Sequence, residues 1–298
     1  MNIKLEEGGM CVEIQAYAKI NLSLEVVGRR ADGYHELVSV MQSISLADTL
    51  VFEKKCHNGM SLDTGCELPA DENNLILRAA NAYFEAVGDR FGVDIKLTKR
   101  IPMKAGLGGG SADAAATLRA LNAMNGNALS DEELCRIGAK IGADVPFCVM
   151  GGTQICRGIG EKMTAIQNNL DCYAVVVKGK EGVSTPRAFA ALDEKYGDFA
   201  GFEQKAEKEL ILLEKALKNA DASAVSAVIF NRFEETVAQG VPDVERIKQE
   251  LLHLGAFAAQ MSGSGPSVFG LFANERDAQL AAAQMREGAR QAFVCRFV

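Results

Sequence analysis

One stretch narrows the possible folds of this chain more than any other: Ile101-Pro-Met-Lys-Ala-Gly-Leu-Gly-Gly-Gly-Ser111 joins a segment patterned as a strand to one patterned as a helix. Before it, Val93, Ile95 and Leu97 alternate with Asp94, Lys96 and Thr98, the period of a half-buried strand. After it, Ser111 to Met124 is rich in Ala and Leu, strong helix formers, with Gly126 available as a stop. Glycines at 106, 108, 109 and 110 let the backbone take positive φ and approach a ligand closely. The free N–H groups of the helix's first turn and its dipole make phosphate the natural occupant, with Lys99, Arg100 and Lys104 as basic neighbours. A Walker A loop would place Lys before Ser111, and a dinucleotide fingerprint would place Gly at 111; neither fits. The competing reading is a flexible turn with close helix–strand packing. Strand before and helix after favour phosphate, although the loop alone names no reaction.

Composition bounds the rest. A chain of 298 residues with 48% hydrophobic and 24% charged residues suits a globular enzyme of two compact units. A net charge of −7 weighs against a nucleic-acid partner, because such binding draws on Lys and Arg at phosphates. No apolar run is long enough to span a bilayer, and Met1 to Gly9 lacks the basic-then-apolar pattern of a secretory signal, so a cytoplasmic location and no membrane partner are expected. Nothing points to an obligate protein partner. The eight cysteines show no C-x-x-C pair; Cys56 adjoins His57, but no second pair follows at finger spacing, and reduced thiols in the core are the expectation.

Strands are expected at Cys11 to Ile14, Ala18 to Val26, Leu37 to Ser45, Tyr173 to Val177, Ser267 to Phe272 and Ala292 to Val298, with another β segment after the Gly151-Gly152 turn. Helices are expected at Asn74 to Val87, from the capping box Ser130-x-x-Glu133 to Gly142, and near Phe202 to Asn219, Asp221 to Glu235, Val244 to Leu254 and Glu275 to Glu287. Runs of helices between separated strands indicate two α+β layers. The boundary is placed near Thr164 to Asp171, giving domains of residues 1–167 and 168–298.

Two further positions carry chemistry. On a strand Lys19 and Asn21 share the side opposite Ile20 and Leu22, so a polar pair emerges from a core strand; a solvated strand face would look the same. Asp144 follows a helix end, and Pro146 is expected to hold Val145 extended. A carboxylate fixed there could accept a proton from an attacking hydroxyl, or could merely bond its own turn. Sequence spacing does not bring Lys19 to Asp144.

Taken together these segments resemble the GHMP kinases, the superfamily of galactose, homoserine, mevalonate and phosphomevalonate kinases. Pro102 to Ala112 is similar to their P-x-x-x-G-L-G-x-G-S-x motif. Ala18-Lys-Ile-Asn-Leu22, Arg30-Ala-Asp-Gly-Tyr-His-Glu36, Gly142-Ala-Asp-Val-Pro-Phe147 and Met261-Ser-Gly-Ser-Gly-Pro266 are similar to the branch acting on a diphosphocytidyl methylerythritol, in the non-mevalonate isoprenoid pathway. The resemblance implies a two-domain fold, with a ribosomal protein S5 domain 2-like N-terminal half bearing the ATP loop and a ferredoxin-like C-terminal half completing the substrate cleft. It implies ATP-dependent phosphorylation of the 2-hydroxyl of a cytidyl diphosphate substrate, with Mg²⁺ accompanying ATP but no assignable ligand. Lys19 and Asp144 would be catalytic, Asp144 taking the hydroxyl proton while Lys19 orients it and offsets phosphoryl charge. Pro102, Met103, Lys104, Ala105, Gly106, Leu107, Gly108, Gly109, Gly110, Ser111 and Ala112 would hold ATP. Tyr34 and His35 would hold the cytosine ring with Phe189 as the other wall, Asn21 would lie near the reacting hydroxyl, and Ser262, Gly263, Ser264 and Gly265 would contact the substrate's phosphates. Tyr17, where many members carry Pro, and Ala112, where many carry a second Ser or Thr, depart from the pattern. A homoserine, mevalonate or sugar kinase is the alternative within the superfamily, and a non-catalytic nucleotide- or RNA-binding module the alternative outside it.

Overall fold

A computed structural model describes residues 3–5, 11–56, 59–179, 182–287 and 290–298. His57 and most of the Met1 to Gly9 segment lie outside the described residues. The chain forms two compact units and passes between them repeatedly: one comprises Met1–Ala18, Leu46–Met103 and Gly108–Gly151, the other Lys19–Ser45, Lys104–Leu107 and Gly152–Val298.

In chain order, β1 (Ile3–Leu5) precedes two long strands, β2 (Cys11–Arg29) and β3 (His35–Lys55), each with residues in both units. Where two short strands were expected, β2 is continuous. Its burial alternates from Cys11 to Ala18, and then every residue from Lys19 to Leu22 is buried. The polar face at Lys19 and Asn21 is therefore covered by protein.

The first unit continues with β4 (Met60–Asp63), α1 (Leu75–Val87), β5 (Gly92–Thr98), α2 (Gly109–Met124), α3 (Asp131–Ala139) and α4 (Val145–Met150). Its strand β5 runs antiparallel to Thr49–Lys55 of β3 and parallel to β4. Asn74 caps α1 by accepting from the Ile76 N–H, and Gly88 closes it in the left-handed region. The expected capping box of α3 is present, Ser130 and Glu133 each accepting the other's backbone N–H. α1 and α4 pack on α2, whose buried side chains include the alanines at 112, 114, 115, 116 and 120, small enough for close helix approach. Val145 departs from expectation: it begins α4 instead of lying extended, since Pro146 falls in the first helical turn, where a missing N–H costs nothing.

The second unit adds β6 (Thr153–Gly158), β7 (Lys162–Ala165), β8 (Tyr173–Lys178), α5 (Thr185–Tyr196), α6 (Phe202–Lys218), α7 (Ala222–Val228), β9 (Phe230–Asn231), α8 (Glu234–Gly240), α9 (Pro242–His253), β10 (Ala258–Met261), β11 (Val268–Phe272), α10 (Glu275–Arg286) and β12 (Gln291–Arg296). A four-stranded antiparallel sheet in the order β10-β11-β8-β12 carries α9 and α10. Its core gathers Val175, Val177, Ile247, Leu251, Phe272 and Ala281. The single helix expected over Asp221 to Glu235 is interrupted. Ile229 turns extended, and β9 pairs with Ser23 and Leu24 of β2, because the buried Asn231 and Arg232 take tertiary partners that a continuous helix would deny them. No helix among the described residues is long and apolar enough to cross a membrane.

Candidate active site

The boundary between units falls inside the glycine-rich loop, and each unit holds a set of the expected residues. In the first unit, Gly108 is the N-cap of α2 at φ 67°, with no side-chain cap bond. The first intrahelical bond comes from Ala112 N–H to Gly108 C=O at 2.8 Å. Helical geometry therefore gives the N–H groups of Gly109, Gly110 and Ser111 no intrahelical acceptor, which suits an anion with several oxygens. A Cβ built on Gly142 would sit 3.7 Å from Ser111 Oγ, so this unit itself brings the start of α2 beside the Gly142 to Asp144 segment. Asp144 is half-buried in the N-cap position of α4, its backbone helical at φ −84° and ψ −8°.

In the second unit, the Lys19 N–H donates to Leu107 C=O at 3.0 Å, tying β2 to the loop. Lys19 Nζ donates to Asn21 Oδ1 at 2.8 Å, Asn21 Nδ2 to Ser39 Oγ at 2.9 Å, and Ser39 Oγ to Ser23 C=O at 2.6 Å. Lys19 is 4% exposed, and Asn21 and Ser39 are fully buried. An ammonium so enclosed is held in one direction, which a solvated strand face would not provide.

The two glycine segments interlock. Ser262 Oγ donates to Gly106 C=O at 3.0 Å, and Ser267 N–H donates to Ala105 C=O at 3.3 Å. A Cβ on Gly106 would lie 2.3 Å from Ser262 C=O, and one on Gly263 would lie 3.0 Å from Gly106 C=O and 3.4 Å from Lys19 Nζ. Gly106 is thus glycine because another loop occupies its Cβ space as well as because its φ is 74°. Lys104 also adopts the left-handed region at φ 51° and is exposed, although only glycines were expected to do so. Asn231, absent from the sequence-derived set, holds the second turn by donating to Met261 C=O at 2.7 Å and Gly263 C=O at 2.8 Å. No sequence signal pointed to it, since its position lies inside the helix expected over Asp221 to Glu235. Ser264 Oγ lies 2.7 Å from Thr185 Oγ1.

The aromatic expectation changes in detail. His35 and Phe189 stack on each other at 4.4 Å between centroids and 17° between planes, leaving no slot between those two rings for a base. Phe199 meets His35 edge-on, and His35 Nε2 lies 2.8 Å from Asp193 Oδ1, so the imidazole is fixed by a ring on one side and a carboxylate at its edge. Tyr34 is 59% exposed. Lys99 does lie beside the start of α2, but its ammonium bonds Asp48 and Asp113, so it does not raise the local potential as a free basic neighbour would.

Set beside known proteins, residues 74–152 match the family model for the GHMP kinases N terminal domain, and residues 213–291 that for the GHMP kinases C terminal. The chain is 40% identical over 286 residues to 4-diphosphocytidyl-2-C-methyl-D-erythritol kinase of Acetivibrio thermocellus, covering 95% of this chain and 98% of that protein. It is 41% identical over 288 residues to the protein of the same name from Pelotomaculum thermopropionicum, covering 96% and 98%. The chain belongs to the GHMP kinases. A crystal structure of 4-(cytidine 5'-diphospho)-2C-methyl-D-erythritol kinase superposes on this GHMP kinase with a TM-score of 0.80 at 34% identity, covering 96% of this chain and 98% of that one. A homoserine kinase from Cytophaga hutchinsonii, at TM-score 0.79 and 21% identity over 98% and 96%, shares the fold. The two-domain GHMP kinase fold and a small-molecule alcohol as acceptor follow from this membership.

Proposed function

We propose that this GHMP kinase transfers the γ-phosphoryl group of ATP to the 2-hydroxyl of 4-diphosphocytidyl-2-C-methyl-D-erythritol, a step of the non-mevalonate isoprenoid precursor pathway. Full-length similarity at about two residues in five to kinases of that name carries the reading. The homoserine and mevalonate kinases share the fold at 21% and 17% identity, too distant to bring their substrates here. ATP use follows from kinase membership.

The uncapped N–H groups of Gly109, Gly110 and Ser111 receive the nucleotide phosphates in this reading, the rest of Pro102 to Ala112 shaping their surroundings. Asp144 accepts the proton of the acceptor hydroxyl, and the enclosed ammonium of Lys19 offsets charge on the transferring group. Asn21 holds Lys19 in place near the reacting hydroxyl. The cytidine base lies against Tyr34 and the His35–Phe189 stack, and the Ser262 to Gly265 turn faces the substrate's phosphates. Residues 1–167 are the half bearing the ATP loop, and residues 168–298 the half supplying further substrate contacts. Mg²⁺ enters as the counterion of the ATP phosphates. Because the described residues contain no group of three or more His, Cys, Asp or Glu side chains suited to a metal, no protein ligand is assigned to it. A cytoplasmic location without an obligate protein partner belongs to the same reading.

A coupled ADP-release assay comparing the cytidyl diphosphate alcohol with homoserine and mevalonate tests the substrate. Turnover of either competitor at equal or greater kcat/KM would remove it. Asp144→Asn is expected to lower kcat by about a hundredfold or more while nucleotide affinity is kept; unchanged turnover would take Asp144 out of the chemistry.

A further inference from the structure

Beneath the start of α2 lies a buried cluster whose charges do not balance. Lys99 Nζ bonds Asp48 Oδ2 and, at 2.7 Å, Asp113 Oδ2. The other oxygen of Asp48 accepts from the backbone N–H groups of Arg100 at 2.5 Å and Ile101 at 2.8 Å, so this carboxylate is fully satisfied as an anion. Asp113 Oδ1 is buried and has no hydrogen-bond partner among the described residues, and the residue is only 3% exposed. One ammonium thus serves two carboxylates, and the second has an unpartnered oxygen, a costly arrangement for an anion. The cluster abuts the phosphate end of the helix: a Cβ on Gly109 would lie 3.2 Å from Lys99 Nζ.

We propose that binding of nucleotide phosphate at the N-terminus of α2 draws one proton from solvent onto Asp113, which acts with Lys99 and Asp48 as a positioning residue for the nucleotide. The proposal rests on the placement of the ATP phosphates at that helix end. With Asp113 ionised, the cluster adds one negative charge beside the incoming phosphates; with Asp113 protonated, the cluster is neutral and that repulsion is gone. Binding of the anion and of the proton therefore favour each other, and the coupling is reciprocal. Burial pushes the Asp113 carboxyl up to about 7, Lys99 opposing and Asp48 adding to the rise, so the proton is exchangeable near neutral pH. The helix dipole favours the anion, but that effect fades within the first turn and Asp113 is the fifth residue of α2. Lys99 and Asp48 are the charged groups acting on Asp113. The buried residues of α1 and α4, which pack on α2, are apolar apart from Tyr83, whose hydroxyl lies 3.4 Å from Asn122 Oδ1, and Cys148. Farther along α2, Arg119 pairs with Asp131.

Calorimetric titration of the full chain with Mg²⁺ and a non-hydrolysable imido analogue of ATP, in two buffers of different ionisation enthalpy, counts the protons taken up. Wild type is expected to take up a large fraction of a proton more than Asp113→Asn, which cancels protons belonging to the nucleotide itself. Its Kd should also weaken up to about tenfold per pH unit above neutrality relative to the variant. Equal uptake by two proteins that both bind overturns this inference alone; failure of wild type to bind the analogue overturns it together with the nucleotide assignment. Should Asp113→Asn not fold, ¹³C titration of the wild-type aspartates decides: a carboxyl titrating near neutrality that moves upward on adding the analogue supports the proposal, and its absence overturns it.

Discussion

Each unit of the molecule buries a charge cluster, and the two are built on opposite principles. In the first unit Lys99 serves Asp48 and Asp113, leaving one carboxyl oxygen unpartnered. In the second, Arg232 grips Glu25 through Nε and Nη2, both at 2.7 Å, and also bonds Glu235, which Lys195 meets at 2.7 Å. Among the described residues Arg232 and Lys195 there face Glu25 and Glu235, and the guanidinium lies over Phe202 at 4.5 Å and Phe230 at 4.7 Å. Burial works against the Arg232 charge, but Glu25 and Glu235 outweigh it and the guanidinium stays raised above its ordinary range. A balanced buried cluster keeps its charge over the working pH range and fixes structure. An unbalanced one leaves a proton to be exchanged, and in this protein it lies at the helix end proposed to meet phosphate.

Breaking the balanced cluster should have the largest effect. Arg232→Met leaves Glu25 as a buried anion that, among the described residues, keeps its bond from the Val26 N–H but loses its cation, with an expected loss of roughly 3–5 kcal/mol. Adding Glu25→Leu should recover much of this, since the stranded charge is what costs. Urea unfolding of the single and double variants measures both. A single-variant loss below about 1 kcal/mol would mean that the pair holds nothing together.

The unbalanced cluster predicts a pH dependence with a definite sign. Asp113 has its folded pKa raised from 3.8 to about 7, so between those values the folded state binds more protons than the unfolded state. Its contribution to stability is therefore full below the unfolded pKa and is lost as pH rises through about 7. Relative to Asp113→Asn, wild type should lose about 2 kcal/mol between about pH 5.5 and about pH 7. Other carboxylates give the opposite slope: Asp243 and Glu235 are buried in part, which works to raise them, yet their cationic partners hold them below their ordinary values. The difference between the two proteins is thus the quantity to read, and parallel stability curves would refute the assignment of the proton to Asp113.

The sequence discloses features made by neighbours and conceals those made by distance. The capping box at Ser130, the strand before the loop and the helix after it depend on residues a few positions apart, and each was readable. At Gly106 the positive φ is legible in the sequence, but the Ser262 carbonyl filling its Cβ space lies 156 residues away. Sequence shows Lys99 near the loop but hides that its charge is already taken up, because its partner Asp48 is 51 residues earlier. The helix expected through Asn231 and Arg232 failed for the same reason, since Glu25 and the Met261 to Gly263 turn take those side chains. Lys19 and Asn21 were placed on one strand face by period alone, and their bond confirms that local geometry; their burial depends on the rest of the unit.

The smallest effect sharpens the comparison at the rim of the balanced cluster. Lys195 is one of its two cations, but its side chain is 38% exposed and that of Glu235 36%, so water already screens their attraction. Removing it leaves Glu235 bonded to Arg232 and to the Tyr196 hydroxyl. Lys195→Ala should therefore cost no more than about 1 kcal/mol in urea unfolding, with an unchanged m value. A loss near that of Arg232→Met would show that the second cation is as necessary as the first. Structural balance would then depend on charge count across the whole cluster, and the enclosed Arg232–Glu25 pair would not suffice to explain it.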